Sequence, residues 1–387
     1  MQRTTTSKAP SALIINKSTV YKVWGVSTLA RLQKILLESN ITEISQDEAQ
    51  TTSHVLIFRA DVVYGPELID QLAHSPNTLL HTSKEVSSAP PVAANIPTVK
   101  LKDAIAWMQA REQSPSTLKT IYPQEAYVKK LHKLSTPICE TVTQKNIRSI
   151  ETKLFSNVYK GVTDLVTKYL WPAPAKIVTK VCATLGISPN NVTSVSAVLV
   201  VAAYILFANG LFGWGLVAGG LMTFLDTVDG KLARLTLTSS PFGNIFDHGI
   251  DLIHPPFWYI AWGIGLAKYV GGTLAMSPEG LNAALWVICI GYVVGRLCEG
   301  YFMRRFKLEI HVWRRFDSVF RLITARRNPN LILLTLSLIT ARPDLGLYAV
   351  MAWTVMSSFI HIFRIAQAET VRARGRKISS WLKPKIA

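Results

Sequence analysis

The sequence predicts a six-helix, all-α transmembrane domain carrying an N-terminal cytoplasmic α/β domain. Three observations lead there. Of 387 residues, 49% are hydrophobic and only 17% charged, and the mean hydropathy is positive. The long apolar runs begin near residue 192 and dominate the second half, with basic clusters between them. Ahead of them, short apolar runs alternate with helical patterns, as in an α/β fold.

The first half sets out the α/β part in order. Residues 12–16 form a short apolar run. Residues 28–40 place Leu29, Leu32, Ile35 and Leu36 on one helical face. Residues 55–58 read as a buried strand running into Arg59 and Asp61, and residues 66–73 as a helix. A strand, an acid at its end and a helix form the unit in which α/β proteins place ligands. Residues 83–100, rich in Pro, Ala and Ser, read as a linker or exposed loop. Residues 101–170 read as helical and basic. Within them, residues 145–168 suit an amphipathic helix, lying either on a membrane surface or on its own domain. Trp171, Pro172 and Pro174 break the chain before the membrane part.

Six spans are expected, at 192–209, 211–227, 245–270, 281–303, 329–341 and 345–366. About 20 apolar residues cross the hydrocarbon, so the fifth is short. Lys231, Arg234 and the arginines of residues 304–327 fall on one side with both termini, which is then the cytoplasmic side. The first residues lack a signal-peptide core, in keeping with a cytoplasmic N-terminus in the inner membrane. The expected division is an α/β domain over 1–100, a helical basic juxtamembrane region over 101–185, the membrane domain over 186–370 and a basic cytoplasmic tail over 371–387. A net charge of +18 suits nucleic acid, anionic lipid or phosphorylated substrates. Apolar runs of this length exclude a soluble nucleic-acid binder. Cys139, Cys182, Cys289 and Cys298 show no CxxC spacing, so neither a disulfide framework nor a zinc site is expected.

The chemistry concentrates in residues 226–251. Asp226 and Asp229 are three apart at the end of the second span, and Asp247 and Asp251 four apart at the start of the third. On helices, both spacings put the acids on one face, and antiparallel neighbours bring the faces together. Carboxylates crowded at a membrane are costly unless cations relieve them. Oxygen ligands without His or Cys suit Mg2+, Mn2+ or Ca2+. Mg2+ typically shares its carboxylates with substrate phosphates, and two ions can clamp a diphosphate for in-line attack. A remaining carboxylate can take the proton of an attacking hydroxyl. Gly230 and Ala233 are small, and Arg234 offers a planar cation. Capping or pairing with Arg and Lys explains one such acid well and four poorly.

These residues match DxxDGxxAR-x8-GxxxDxxxD without departure. Eight fixed positions arise by chance at about 10⁻¹⁰ per start, so the motif is specific. The stretch over 188–366 resembles the CDP-alcohol phosphotransferase (CDP-alcohol phosphatidyltransferase) family, with Pro189–Thr193 similar to the element before its first span. The resemblance implies that Asp226, Asp229 and Asp247 hold two Mg2+ or Mn2+ ions. It implies Asp251 as general base sharing in metal binding, and Gly230, Ala233, Arg234, Gly243 and Thr193 on the CDP side. It further implies transfer from a CDP-linked alcohol to a hydroxyl acceptor, inositol phosphate or a lipid, with release of CMP, in a homodimer.

The N-terminal part resembles, through residues 22–25 and 58–61, a sugar-phosphate nucleotidyltransferase domain, as in bifunctional inositol-phosphate enzymes. It lacks the glycine-rich phosphate loop after the first strand, so an inactive relative is expected. This slightly favours a small polar donor alcohol such as inositol. Arg296, Glu299, His311 and the neighbouring arginines form either an acceptor-phosphate pocket or topology-setting charge. The competing classes are a transporter with a divalent-cation site, which leaves the Gly-Ala-Arg positions unexplained, and a non-catalytic scaffold, which leaves the costly acids unexplained.

Overall fold

A computed structural model of the chain describes residues 10–383 except 19, 51, 85–88, 112, 116 and 270–276. It divides into two compact units. One comprises residues 1–126, 134–159 and 235–237, the other 127–133, 160–234 and 238–387.

The first unit is α/β with a mixed sheet. Strand β1 (Ser11–Ile15) is followed by the hairpin β2 (Lys22–Val23) and β3 (Val26–Ser27). Helix α1 (Thr28–Glu38), β4 (Thr42–Glu43), α2 (Gln46–Ala49), β5 (His54–Arg59), β6 (Val62–Tyr64) and α3 (Pro66–Ala73) come next. Then come β7 (Thr78–Leu80), β8 (Ala93–Pro97), α4 (Leu101–Met108) and β9 (Lys119–Ile121), and, after β10 (Ala126–Val128) and β11 (Lys133–Ser135), at which the chain passes from one unit to the other and back, β12 (Cys139–Thr141) and α5 (Ile147–Asn157). Six strands form the sheet in the order β4-β1-β5-β8-β7-β9. β8 runs antiparallel to both neighbours, whereas β1 pairs in parallel with β4 and β5. The linker expected over residues 83–100 is therefore an error for its second half. Ala93, Ala94 and Ile96 are fully buried in the sheet, where small side chains admit covering layers on both faces. Residues 101–170 likewise hold four short strands as well as helices.

Helix α5 settles its two open readings. Its apolar face, Ile150, Leu154 and Phe155, is buried, and Phe155 stacks on Trp24 of the same unit at 5.7 Å. Glu151 accepts the Trp24 backbone N–H at 2.9 Å. This is a helix packed on its own domain.

The second unit is helical: α6 (Pro172–Leu185), α7 (Pro189–Ala208), α8 (Phe212–Leu235), α9 (Pro241–Leu266), α10 (Pro278–Phe306), α11 (Arg315–Phe320), α12 (Arg327–Ile339) and α13 (Pro343–Ala373). Pro172 and Pro174 begin α6 instead of breaking the chain, because first-turn residues need no intrahelical N–H. Helices stand at all six places expected to span. Among the described residues three of them, α7, α10 and α13, are long and apolar enough to cross a membrane. α12 has 13 residues and rises only about 20 Å. The apolar surface points outward, with Val198 68%, Leu297 66% and Phe359 69% exposed. That is the arrangement of an integral membrane protein, with lipid in place of water.

Aromatic residues fill the interior. Phe212 stacks on Trp262 at 4.2 Å. Buried indoles find backbone acceptors: Trp262 donates to the Pro343 carbonyl and Trp258 to that of Val200, both at 3.0 Å. α9 meets α7 closely at Gly265, where a Cβ would stand 1.8 Å from the Phe207 carbonyl oxygen. α9 also contains Pro255 and Pro256. These cannot donate to the carbonyls of Asp251 and Leu252 four residues earlier. The Tyr292 hydroxyl of α10 donates to Leu252 O instead, at 2.8 Å.

Candidate active site

The last three turns of α8 and the first half of α9 carry the acids. Asp226, Asp229 and Asp247 each offer a carboxylate oxygen, and these lie within 4.8 Å of one another, a group able to hold a metal ion. The donor set is all hard oxygen, which fits Mg2+ or Mn2+ and gives zinc no preferred ligand.

The surroundings orient these acids. Thr193, on the first turns of α7 and 5% exposed, donates its hydroxyl to Asp229 Oδ2 at 2.6 Å. The Gly230 backbone N–H meets the other oxygen, Oδ1, at 2.5 Å. Thr193, expected on the nucleotide side, is thus bonded to an acid. Gly243 packs against Asn190, whose Oδ1 would lie 2.7 Å from an added Cβ. The Arg234 guanidinium folds back along the helix, with Nη2 3.5 Å from the Cβ position of Gly230. Ala233 completes this turn, partly exposed. His248 lies 3.6 Å from Asp247 and is largely exposed.

Asp251 is tied to Asp226 by a residue the sequence did not single out. Arg327, the first residue of α12, donates from Nη1 to Asp251 Oδ1 at 2.5 Å and from Nη2 to Asp226 Oδ2 at 2.7 Å. In the sequence it stands only as one of the basic residues of its loop, and partners 76 and 101 positions away leave no local pattern.

A second, small polar chamber of about 20 Å³ lies between α10, α13 and the segment before α12, lined by Tyr292, Arg296, Glu299, Arg326, Ser357 and His361. Glu299, His311 and His361 could also group around a metal. Glu299, however, already pairs with Arg296 at 3.1 Å and with Arg326, so a further cation would face two guanidinium groups. The chemistry there favours an anion.

The CDP-alcohol phosphatidyltransferase family profile matches residues 186–360, which contain all four acids and Arg327. Residues 186–360 belong to that family. Cholinephosphotransferase 1 of Gallus gallus is 49% identical over 79 residues, 20% of this chain and 19% of that protein. Choline/ethanolaminephosphotransferase 2 of Arabidopsis thaliana is 37% identical over 101 residues, 25% of this chain and 23% of its own length. Ethanolaminephosphotransferase 1 of Pongo abelii is 29% identical over 126 residues, 28% of this chain and 31% of that protein. The chain thus spans less than a third of each of these relatives. Inositol appears in none of these names. The matched residues lie outside the strands and helices of the mixed sheet.

Proposed function

We propose that the chain transfers a phospho-alcohol group from a CDP-linked donor to a hydroxyl acceptor at the Asp226–Asp251 site. The observation that carries this is the convergence of Asp226, Asp229 and Asp247 within the fully matched signature. These three residues would hold two divalent ions, which would supply charge neutralisation of the diphosphate and of departing CMP. Thr193 and the Gly230 N–H fix the Asp229 carboxylate. Gly230, Ala233, Arg234 and Gly243 form the side on which the CDP group lies. Asp251 takes the proton of the acceptor hydroxyl as its oxygen bonds to the phosphorus bearing the donor alcohol. The phosphoanhydride bond breaks, and CMP leaves with the electron pair.

The names of the relatives support a choline or ethanolamine donor and a role in phospholipid synthesis. A second reading, a phosphorylated acceptor such as inositol phosphate, draws on Arg296 and Arg326 in the neighbouring chamber. The site would open to the cytoplasm at the inner membrane, in a homodimer. The α/β unit would be an inactive relative of nucleotidyltransferases with a structural role. In support, Asp61 is held by Arg59 through bonds of 3.0 and 2.6 Å, and a two-strand hairpin follows β1.

The test is CMP release by the purified protein in detergent with Mg2+. CDP-choline, CDP-ethanolamine, CDP-diacylglycerol and CDP-inositol are offered with diacylglycerol, inositol and inositol phosphate. Release restricted to one pair, and lost in Asp251→Asn and with chelator, is expected. Cation binding without CMP release from any pair would instead favour a transporter or scaffold.

A further inference from the structure

The acid cluster contains its own cation. Arg327 spans two helices, gripping Asp226 of α8 and Asp251 of α9 with separate nitrogens of one guanidinium. It is well anchored. Arg326 before it pairs with Glu299. Asn328 after it donates to Asp164 at 2.9 Å, and Asn330 donates to the Tyr259 hydroxyl at 2.7 Å. Pro329 stiffens the same turn. Neighbours on both sides therefore hold the backbone from which Arg327 projects, and its side chain is only 14% exposed. A guanidinium so placed is a built part of the site, and its planar fork suits two carboxylates or a phosphate equally.

We propose that Arg327 is a positioning residue that competes with divalent cations for Asp226 and Asp251. Resting on the reading of this site as metal-binding, the inference adds an internal counter-ion to it. Arg327 relieves the repulsion between the acids, fixes their carboxylates in register, and sets how strongly a cation must bind to claim the Asp226 oxygen. Once a divalent ion takes that oxygen, the fork is free for a phosphate oxygen and Asp251 for a proton.

The experiment measures Mn2+ binding by electron paramagnetic resonance, and thermal unfolding with chelator or Mn2+, for the full-length protein, Arg327→Gln and Arg327→Lys. Arg327→Gln should bind Mn2+ about tenfold more tightly, the size expected when a charge-assisted competitor is removed. In chelator it should melt at least about 5 °C lower, because acids are left unpaired, and Mn2+ should restore most of the loss. Arg327→Lys, which keeps the charge but loses the fork, should fall between. Mn2+ bound by the native protein with unchanged or weaker affinity in Arg327→Gln overturns the proposal alone. A melting loss that Mn2+ does not repair does the same. No Mn2+ bound by any of the three overturns it together with the metal-site reading.

Discussion

Replacing Thr193 by valine exchanges one hydroxyl for one methyl at almost constant volume. The Thr193 oxygen lies 2.6 Å from Asp229 Oδ2 and 3.1 Å from the Pro189 carbonyl. Its single proton goes to the nearer, charged acceptor. A hydrogen bond to a charged group contributes about 1.5–3 kcal/mol, and its partner is buried, so removing the donor leaves a carboxylate oxygen less well held. Loss of a residue that orients a metal ligand lowers metal affinity about 10–100-fold. Gly230 N–H still fixes the other oxygen, which places the expected effect near the lower end, about tenfold weaker Mn2+ binding. Calorimetric titration of Mn2+ into the detergent-solubilised protein measures it, with Thr193→Ser as the variant that keeps the donor. CMP release at subsaturating Mn2+ should fall in parallel and recover at high Mn2+. Unchanged Mn2+ affinity in Thr193→Val would refute this reasoning, as would a loss in Thr193→Ser as large as in Thr193→Val.

Three further outcomes follow from the packing. Gly265→Ala forces a Cβ to within 1.8 Å of the Phe207 carbonyl oxygen, so α7 and α9 must separate. A loss of about 3 kcal/mol or more is expected in thermal unfolding, against little change in Gly220→Ala, where a Cβ meets nothing within 4 Å. Asp317→Asn breaks a bidentate pair with Arg364, held at 2.6 and 2.8 Å and almost wholly buried. A stray buried guanidinium costs about 3–5 kcal/mol, read as a lower melting temperature. Burial and the nearby Glu140 push the Cys139 thiol up to about 12. It therefore remains protonated from pH 7 to 9, and iodoacetamide should label it only after denaturation.

The parts legible in the sequence are those set by local pattern. β5 announced itself as an apolar run between polar flanks, and α3 as a helix opening on a proline. The acids could be placed because three- and four-residue spacings and antiparallel neighbours suffice to bring them together. β8 was hidden because Ala93, Ala94 and Pro97 resemble a loop until both faces are covered. Arg327 was hidden for a different reason: its role depends on where the chain returns after 76 and 101 residues. Thr193 came from the family resemblance as a residue on the nucleotide side, and its hydroxyl bonds to Asp229, a partner that no local pattern announces.

The paired prolines of α9 make the segment after Asp251 unusual. Two rungs of the helix ladder are missing there, and one vacated carbonyl, on Leu252, is claimed by Tyr292. Tyr292 also lines the polar chamber and receives the Arg296 guanidinium on its ring at 5.1 Å. Tyr292 therefore joins the wall of the chamber to the peptide unit next to Asp251, so the backbone that carries this carboxyl is held from a neighbouring helix where its own ladder is interrupted.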